Sequence, residues 1–371
     1  MKSRAEGFPT AALLDWYRQN QRKLPFRPRR LKPGTGDDRG WEVPPNPYHV
    51  LVSEAMAQQT QIATVVPYFE RFVAAFPTVH DLADADEQRV LTLWQGLGYY
   101  RRARNLHAAA KAIVNDHGGE VPHTAEQLLQ LPGVGRYTAG AVASVAYDTP
   151  APIVDGNVAR VFARYFGIED AVDRPVGQKQ LWQLADNLVR DSGSPRDFNQ
   201  GVMELGALVC TPKSARCLYC PLRDSCAAHK QGQADRLPVK TPKKKPIAVT
   251  HTVLAIRRGH KLLFEQRPPE GLWSNMWQLP TIENESSTPP EDYARSRLNL
   301  TIREAAFVDE FAHQTTHRSI RFRLFQCEVS GGRLRPGAGV WRRPNDLADL
   351  PLAKPQHAAL KILKKQGKTA R

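Results

Sequence analysis

Cys210-Thr211-Pro212-Lys213-Ser214-Ala215-Arg216-Cys217-Leu218-Tyr219-Cys220-Pro221-Leu222-Arg223-Asp224-Ser225-Cys226 holds four of the chain's five cysteines. Thiols packed this tightly on one loop read as metal ligands of an intracellular protein, not as disulfide partners. Structural zinc sites pair cysteines at gaps of about two to four residues, and only Cys217 and Cys220 are paired in that way. Four thiolates on one short loop also suit a [4Fe–4S] cluster, and the wider gaps favour the cluster over zinc. Lys213, Arg216, Arg223 and Lys230 add positive charge, which suits a rigid knuckle pressed against an anionic surface.

Working outward, the 371 residues carry a formal net charge of +15. That length gives room for about two or three domains with their own cores. The charge points to a polyanionic partner, and nucleic acid is the first candidate. No apolar run approaches the roughly 18 residues of a membrane span. The opening Met1-Lys2-Ser3-Arg4-Ala5-Glu6-Gly7 leads into no apolar signal core. Cys327 lies in an alternating stretch and reads as a small core residue. A monomer in the reducing cytoplasm, associated with the nucleoid, is expected.

Residues 9 to about 210 read as consecutive helices. Thr10 is placed to cap a helix through Asn20, and Pro47 opens a segment from Tyr48 to Gln58. Ile62 to Phe76 places Ile62, Val65, Val66, Phe69, Phe72, Val73 and Phe76 at helical intervals. Further helices are expected over 87–95, over 101–117 with a stop at Gly118-Gly119, and over 124–130, 136–147, 156–166, 176–190 and 195–210. The Pro- and Gly-rich stretch from Arg27 to Pro47 reads as a long surface loop. Residues 231–246, with Pro238, Pro242, Lys243-Lys244-Lys245 and Pro246, read as a linker. Beyond it, 249–257, 261–267 and 319–329 alternate as strands do, with helices near 291–298 and 356–365. The expected organisation is a helical domain over 1–230, the linker, and a smaller α+β domain over 247–371.

Leu131-Pro132-Gly133-Val134-Gly135 joins two helical segments. Its glycines, Gly133 and Gly135, permit a tight turn with bare backbone N–H groups beside a helix N-terminus, an arrangement that holds a phosphate without reading sequence. Ile153-Val154-Asp155-Gly156-Asn157-Val158 follows. Together with the four-cysteine loop, these motifs resemble the helix-hairpin-helix, iron–sulfur DNA glycosylase superfamily. Ser53-Glu54-Ala55-Met56-Ala57-Gln58-Gln59-Thr60-Gln61, Pro67-Tyr68-Phe69-Glu70-Arg71-Phe72, Gly96-Leu97-Gly98-Tyr99-Tyr100, Phe198-Asn199-Gln200 and Glu204-Leu205-Gly206-Ala207 resemble the adenine DNA glycosylase family within it. The likeness runs nearly continuously through Cys226 and more loosely over a C-terminal Nudix-like domain. It implies a mostly α glycosylase domain whose [4Fe–4S] cluster is held by Cys210, Cys217, Cys220 and Cys226. The implied substrate is double-stranded DNA, with adenine removed opposite 8-oxoguanine or guanine.

The residues fit that chemistry. Expelling adenine requires protonation of the base and stabilisation of an oxocarbenium-like sugar, work that two carboxyls in different environments can divide. Glu54 lies among Val52, Ala55 and Met56, where burial would raise its pKa and suit it to a general acid; the resemblance directs its proton to N7 of adenine. The alternative is an exposed helical glutamate. Asp155 precedes a predicted helix, whose positive end favours its ionised form; the alternative is a plain N-cap, and both can hold. The resemblance further implies that Asn157 and Tyr137 orient the aspartate and sugar, that Gln59 and Tyr99 enter the base stack, and that Arg27 and Gln200 line the adenine pocket. Arg101, Arg102 and Arg104 follow Tyr99 and are candidates to hold the DNA backbone. A Tyr at 137, where related lyases carry lysine, leaves no evident imine-forming amine and implies a monofunctional enzyme.

Three departures stand out. Leu24-Pro25-Phe26-Arg27 replaces Leu-Pro-Trp-Arg, Ala57 replaces a leucine before the two glutamines, and Phe311-Ala312-His313 stands for the family's Phe-Ser-His. His313 is then expected to read 8-oxoguanine, with Gln314, Thr315 and Thr316 available to replace the lost hydroxyl. Gly271-Leu272-Trp273-Ser274-Asn275-Met276-Trp277-Gln278-Leu279-Pro280 resembles part of the Nudix box, but the magnesium-binding glutamate run is absent. The second domain is therefore expected to recognise rather than catalyse. The competing readings are a same-fold glycosylase for T or U opposite G, and a non-catalytic iron–sulfur DNA-binding protein. The latter needs neither Glu54 nor Asp155.

Overall fold

The computed structural model describes residues 7–30, 41–242, 245–284 and 288–369. The chain forms two compact units: Met1–Asp84 with Asn105–Pro242, and Ala85–Arg104 with Lys243–Arg371. Residues 1–6, residues 31–40 of the Arg27–Pro47 loop, and Lys243 and Lys244 of the lysine run lie outside the described residues. Among the described residues no helix is long and apolar enough to cross a membrane.

The first unit is helical, as its periodicity predicts. Helices occupy Thr10–Asn20, Pro47–Ala57, Ile62–Ala75, Arg136–Tyr147, Gly156–Phe166, Pro175–Arg190 and Pro195–Leu208, and the Arg101–His117 helix, which belongs to this unit from Asn105 on, stops at the paired glycines. Thr10 is not the cap of its helix. Pro9 holds that position without a side-chain bond, and Thr10 Oγ1 turns back to the Phe8 carbonyl at 3.5 Å. A short helix missed by periodicity, Val79–Ala83, is set by a capping box between Thr78 and Asp81. The Gly156–Phe166 helix is buried on nearly every side, with Val158, Val161 and Phe162 packed among Leu13, Leu184, Phe198 and Leu205. Where the surface loop begins and ends, β1 (Arg29–Arg30) and β2 (Trp41–Val43) pair antiparallel.

Residues 231–242 do not hang as a solvated tether. Leu237 is buried, its carbonyl accepts from Arg164 Nε at 2.9 Å, and the Val239 carbonyl accepts from Val172 N at 3.0 Å.

The second unit is built on a mixed sheet. Strand β3 (Ile247–Arg258) pairs antiparallel with β4 (Lys261–Gln266). Strands β5 (Ala306–Gln314) and β6 (Arg318–Gly332) form a hairpin, and β6 runs parallel to β3. Ala359 and Leu363 of the Lys354–Thr369 helix pack with Val253, Phe264 and Phe322, while Ala294 and Leu298 pack with Leu254, Ile256 and the buried Cys327. These clusters make the α/β/α layering that the alternation in the sequence implies in part. Strand β5 escaped the sequence reading because a register shift between Phe307 and Asp309 interrupts its two-residue period. The helix expected near 291–298 is one α turn, Pro290–Tyr293, continued as a π-helix through Leu298.

Candidate active site

Asn46 caps the Pro47–Ala57 helix, accepting from His49 N at 3.1 Å. That helix buries Tyr48, Val50, Leu51, Val52, Ser53, Ala55 and Met56. Glu54 is the carboxyl in this apolar run, and it faces a cavity of about 970 Å³. Tyr137, Asp155, Asn157, Gln200 and Arg27 line the same cavity, so it gathers all the residues expected to act on the base and sugar. Phe26 and Ala57, two of the departures, also line it. Gln59 stands at its edge, exposed and at φ 57°.

Burial pushes the Glu54 carboxyl up to about 7; the neighbouring Asp155 charge adds to this, while a hydrogen bond from Tyr137 and the charge of Arg27 oppose it. Glu54 is half-buried and borders the cavity. The Tyr137 hydroxyl, buried between the two carboxyls, is held well above its usual range and stays protonated; it also lies 3.3 Å from Met203 Sδ.

Asp155 is the N-cap of the Gly156–Phe166 helix. Oδ1 accepts from Asn157 N at 2.9 Å and Val158 N at 2.7 Å, and Oδ2 accepts from Asn157 Nδ2 at 2.9 Å. The cap and the candidate catalytic carboxyl are thus one residue. The three hydrogen bonds and Arg160 favour the ionised form, but burial is the larger effect and raises the pKa. Two adjacent carboxyls shifted upward hold one proton between them most readily. Three N–H donors favour the anion at Asp155, whereas burial favours the protonated acid at Glu54. Gly206 permits this geometry, since a Cβ there would fall 2.6 Å from Asn157 Cβ.

Glu204, Arg22 and Arg160, to which the sequence assigns no role, hold residues of the cavity wall in place. Glu204 is fully buried. Its Oε1 accepts from Arg22 N and Nε, each at 2.8 Å, and its Oε2 from Arg22 Nη2 at 2.8 Å and Arg27 Nη2 at 2.9 Å. Burial alone would raise this carboxyl, but those bonds prevail and push it down to about 2. Arg27 is thereby fixed in the cavity wall beside buried Gln200. Arg160 donates to Asn157 Oδ1 at 2.8 Å and to the Cys210 carbonyl at 2.6 Å. The signal for Arg160 was an arginine inside the apolar helix Gly156–Phe166, since a buried guanidinium must find acceptors.

The hairpin turn is built as expected. Gly133 has φ 72° and lies so near Asn105 that a Cβ would meet its side chain at 2.4 Å. Gly135 caps the Arg136–Tyr147 helix, and both glycines are exposed. Cys210, Cys217, Cys220 and Cys226 are free and half-buried. Burial, reinforced by the other cysteines, pushes Cys220 up to about 12 and raises Cys226. Arg164 Nη1 lies 3.3 Å from Cys210 Sγ. Mutually influencing, half-buried thiols with a guanidinium beside them fit a thiolate-ligated cluster. Among the described residues, no three His, Cys, Asp or Glu side chains converge as ligands of a single ion.

In the second unit, Tyr99 is 48% exposed at φ 49°, and its hydroxyl lies 3.2 Å from Thr316 Oγ1 in the β5–β6 turn. Arg102 and Arg104 turn inward: Arg102 lies over the rings of Trp94 and Tyr99, and Arg104 donates to the Ser274 carbonyl at 2.9 Å. Ala312 and His313 point to opposite faces of β5, as neighbours on a strand must. His313 packs against Trp273 with ring centroids 5.7 Å apart, and burial lowers its pKa.

Comparison with known proteins agrees with this arrangement. Residues 52–186 match the HhH-GPD superfamily of base excision DNA repair proteins, and residues 252–362 match the NUDIX domain. The chain is 40% identical over 369 residues to the adenine DNA glycosylase of Rattus norvegicus, covering 86% of this chain and 70% of that protein. It is 32% identical over 364 residues to the adenine DNA glycosylase of Buchnera aphidicola subsp. Schizaphis graminum, covering 95% and 97%. A solved thermostable thymine-DNA glycosylase superposes with a TM-score of 0.51 at 28% identity, over 62% of this chain and 98% of that one. With likeness along nearly its whole length, the chain belongs to the adenine DNA glycosylase family, and it is a base-excision repair enzyme that acts on adenine in DNA.

Proposed function

We propose that this enzyme removes adenine paired with 8-oxoguanine or guanine and leaves an intact abasic site. The observation that carries the reading is the unequal carboxyl pair: Glu54, pushed up to about 7, and Asp155, held by three N–H donors. Glu54 gives its proton to N7 of adenine as the bond from C1′ to N9 breaks, so the base leaves neutral. Asp155 stabilises the sugar cation, by charge or by a transient bond, until water adds at C1′ and its proton passes to the Glu54 carboxylate. Asn157 keeps Asp155 in place, and Tyr137 keeps Glu54 in place. Arg27 and Gln200 meet the adenine edge. No described residue lining the cavity is a lysine, and Tyr137 has no amine to form an imine, which favours simple hydrolysis.

A base in a duplex has to leave the stack first. Gln59 and Tyr99 are the residues that fill or open it, and Gly133 and Gly135 hold the backbone. Lesion reading falls to half-buried His313, with Tyr99 and the exposed Thr316 of the hairpin turn beside each other as further contacts. Cys210, Cys217, Cys220 and Cys226 hold a [4Fe–4S] cluster, which supplies a covalent cross-link of the loop when bound. The protein works as a monomer.

The test is base release from duplexes carrying A, T, U or C opposite G or 8-oxoguanine. Adenine opposite 8-oxoguanine should be released fastest, with nicking only after alkali and little borohydride-trapped complex. Preferential release of T or U opposite G, or efficient trapping, would refute the reading.

A further inference from the structure

The segment Ala85–Arg104 precedes the hairpin in sequence, yet it packs as part of the second unit. Two glutamines tie it there. Gln88 Nε2 donates to the Asn275 carbonyl at 3.1 Å, and its Oε1 accepts from Trp277 Nε1 at 3.1 Å. Gln95 Oε1 accepts from Leu352 N at 3.1 Å, and its Nε2 lies 2.6 Å from His357 Nε2. Both glutamines therefore use both ends of their amides. Asn275 stands at φ 61°, so its carbonyl is presented by a turn of fixed shape. Four residues beyond Gln95 stands Tyr99, itself in a left-handed conformation that persists only where its surroundings over-determine it.

We infer that the Nudix-like unit sets Tyr99 as a preformed wedge, with Gln88 and Gln95 as positioning residues. This rests on the reading of Tyr99 as a stack-entering residue. An exposed tyrosine on a free loop would have to be ordered at each encounter with DNA, whereas one fixed beforehand avoids that cost. The second unit thus contributes to base extrusion as well as to recognition. The contribution acts through amides on the Glu87–Trp94 helix and its C-cap, remote in sequence from both carboxyls.

The experiment uses the full-length holoprotein and a duplex with 2-aminopurine beside 8-oxoguanine, opposite a non-cleavable adenine analogue. Unstacking on binding raises 2-aminopurine fluorescence. Tyr99→Ala should abolish the rise. Gln88→Ala/Gln95→Ala should reduce it by about half or more and slow single-turnover adenine release roughly tenfold on a cleavable duplex. In a Tyr99→Ala background the same pair should add less than about twofold, because they act through Tyr99. Gln95→Met, which keeps length and removes both bonds, should give a smaller change of the same kind. A wild-type rise in the glutamine variants, or full additivity with Tyr99→Ala, would overturn the inference while leaving the wedge reading intact. An undiminished rise in Tyr99→Ala would refute the wedge reading and the inference with it.

Discussion

Arg160 Nη2 donates to Asn157 Oδ1 at 2.8 Å while the Nε of the same guanidinium holds the Cys210 carbonyl at 2.6 Å. Asn157 in turn donates to Asp155 Oδ2 at 2.9 Å. One buried arginine therefore joins the start of the cysteine loop to the Asp155 carboxylate at the cavity.

Arg160→Met should uncouple the two. It leaves the carbonyls of Cys210 and Gly206 unpaired, each costing about 1–3 kcal/mol, and lets the Asn157 side chain rotate. Adenine release should fall by roughly 10- to 100-fold, with less iron retained per chain. Arg160→Lys should rescue little, because an ammonium cannot span the same acceptors. Single-turnover rates and iron content check this.

Glu204→Gln should destabilise the protein and disorder the adenine pocket. Losing one partner of a buried ion pair costs about 3–5 kcal/mol, and both Arg22 and Arg27 depend on Glu204. The folded carboxyl titrates at about 2 against an ordinary 4.5. Its stabilisation, about 3 kcal/mol, is thus present above pH 4.5 and lost as pH falls through about 2. Acid unfolding curves of wild type and Glu204→Gln should converge at low pH and separate above it.

Asp155→Asn should abolish most base release at modest structural cost. Asparagine can still accept from Val158 N and Asn157 N. Its amide would meet the Asn157 Nδ2 donor, a mismatch worth about 1 kcal/mol. A shift of that size in the denaturation midpoint, beside a near-complete loss of activity, separates the chemical role from the cap.

Glu54 should oppose stability at the pH where it serves catalysis. In the folded protein it keeps its proton up to about pH 7, in the unfolded chain only to about 4.5. The favourable contribution is complete below pH 4.5 and disappears as pH rises through about 7. Glu54→Gln should therefore gain up to about 3 kcal/mol at pH 8 and nothing at pH 4, readable from denaturant midpoints.

Helices were legible wherever apolar residues recurred at helical spacing, and Ile62–Ala75 and Gly156–Phe166 ended close to where their sequences imply. Strand β5 was not legible, since Asp309 and Glu310 fall beside its bulge and mask the alternation. The cavity residues were legible through motifs, but the ties among them were not. Nothing local to Glu204 announces Arg22 and Arg27, which lie 182 and 177 residues away. At Asp155 the helix-end electrostatics can be read from sequence, whereas the depth of burial that raises its pKa cannot. The membership of Ala85–Arg104 in the second unit was equally hidden. It depends on contacts such as Gln88 with Asn275, which span 187 residues.

In the proposed mechanism, Glu54 supplies the proton that expels adenine. The most direct test is single-turnover adenine release by wild type and Glu54→Gln from pH 5 to 9, on a duplex with adenine opposite 8-oxoguanine. Wild type should slow as pH rises above about 7, and Glu54→Gln should be slower by about 10²–10⁴-fold with no such fall. A Glu54→Gln rate near that of wild type, declining over the same pH range, would contradict the account.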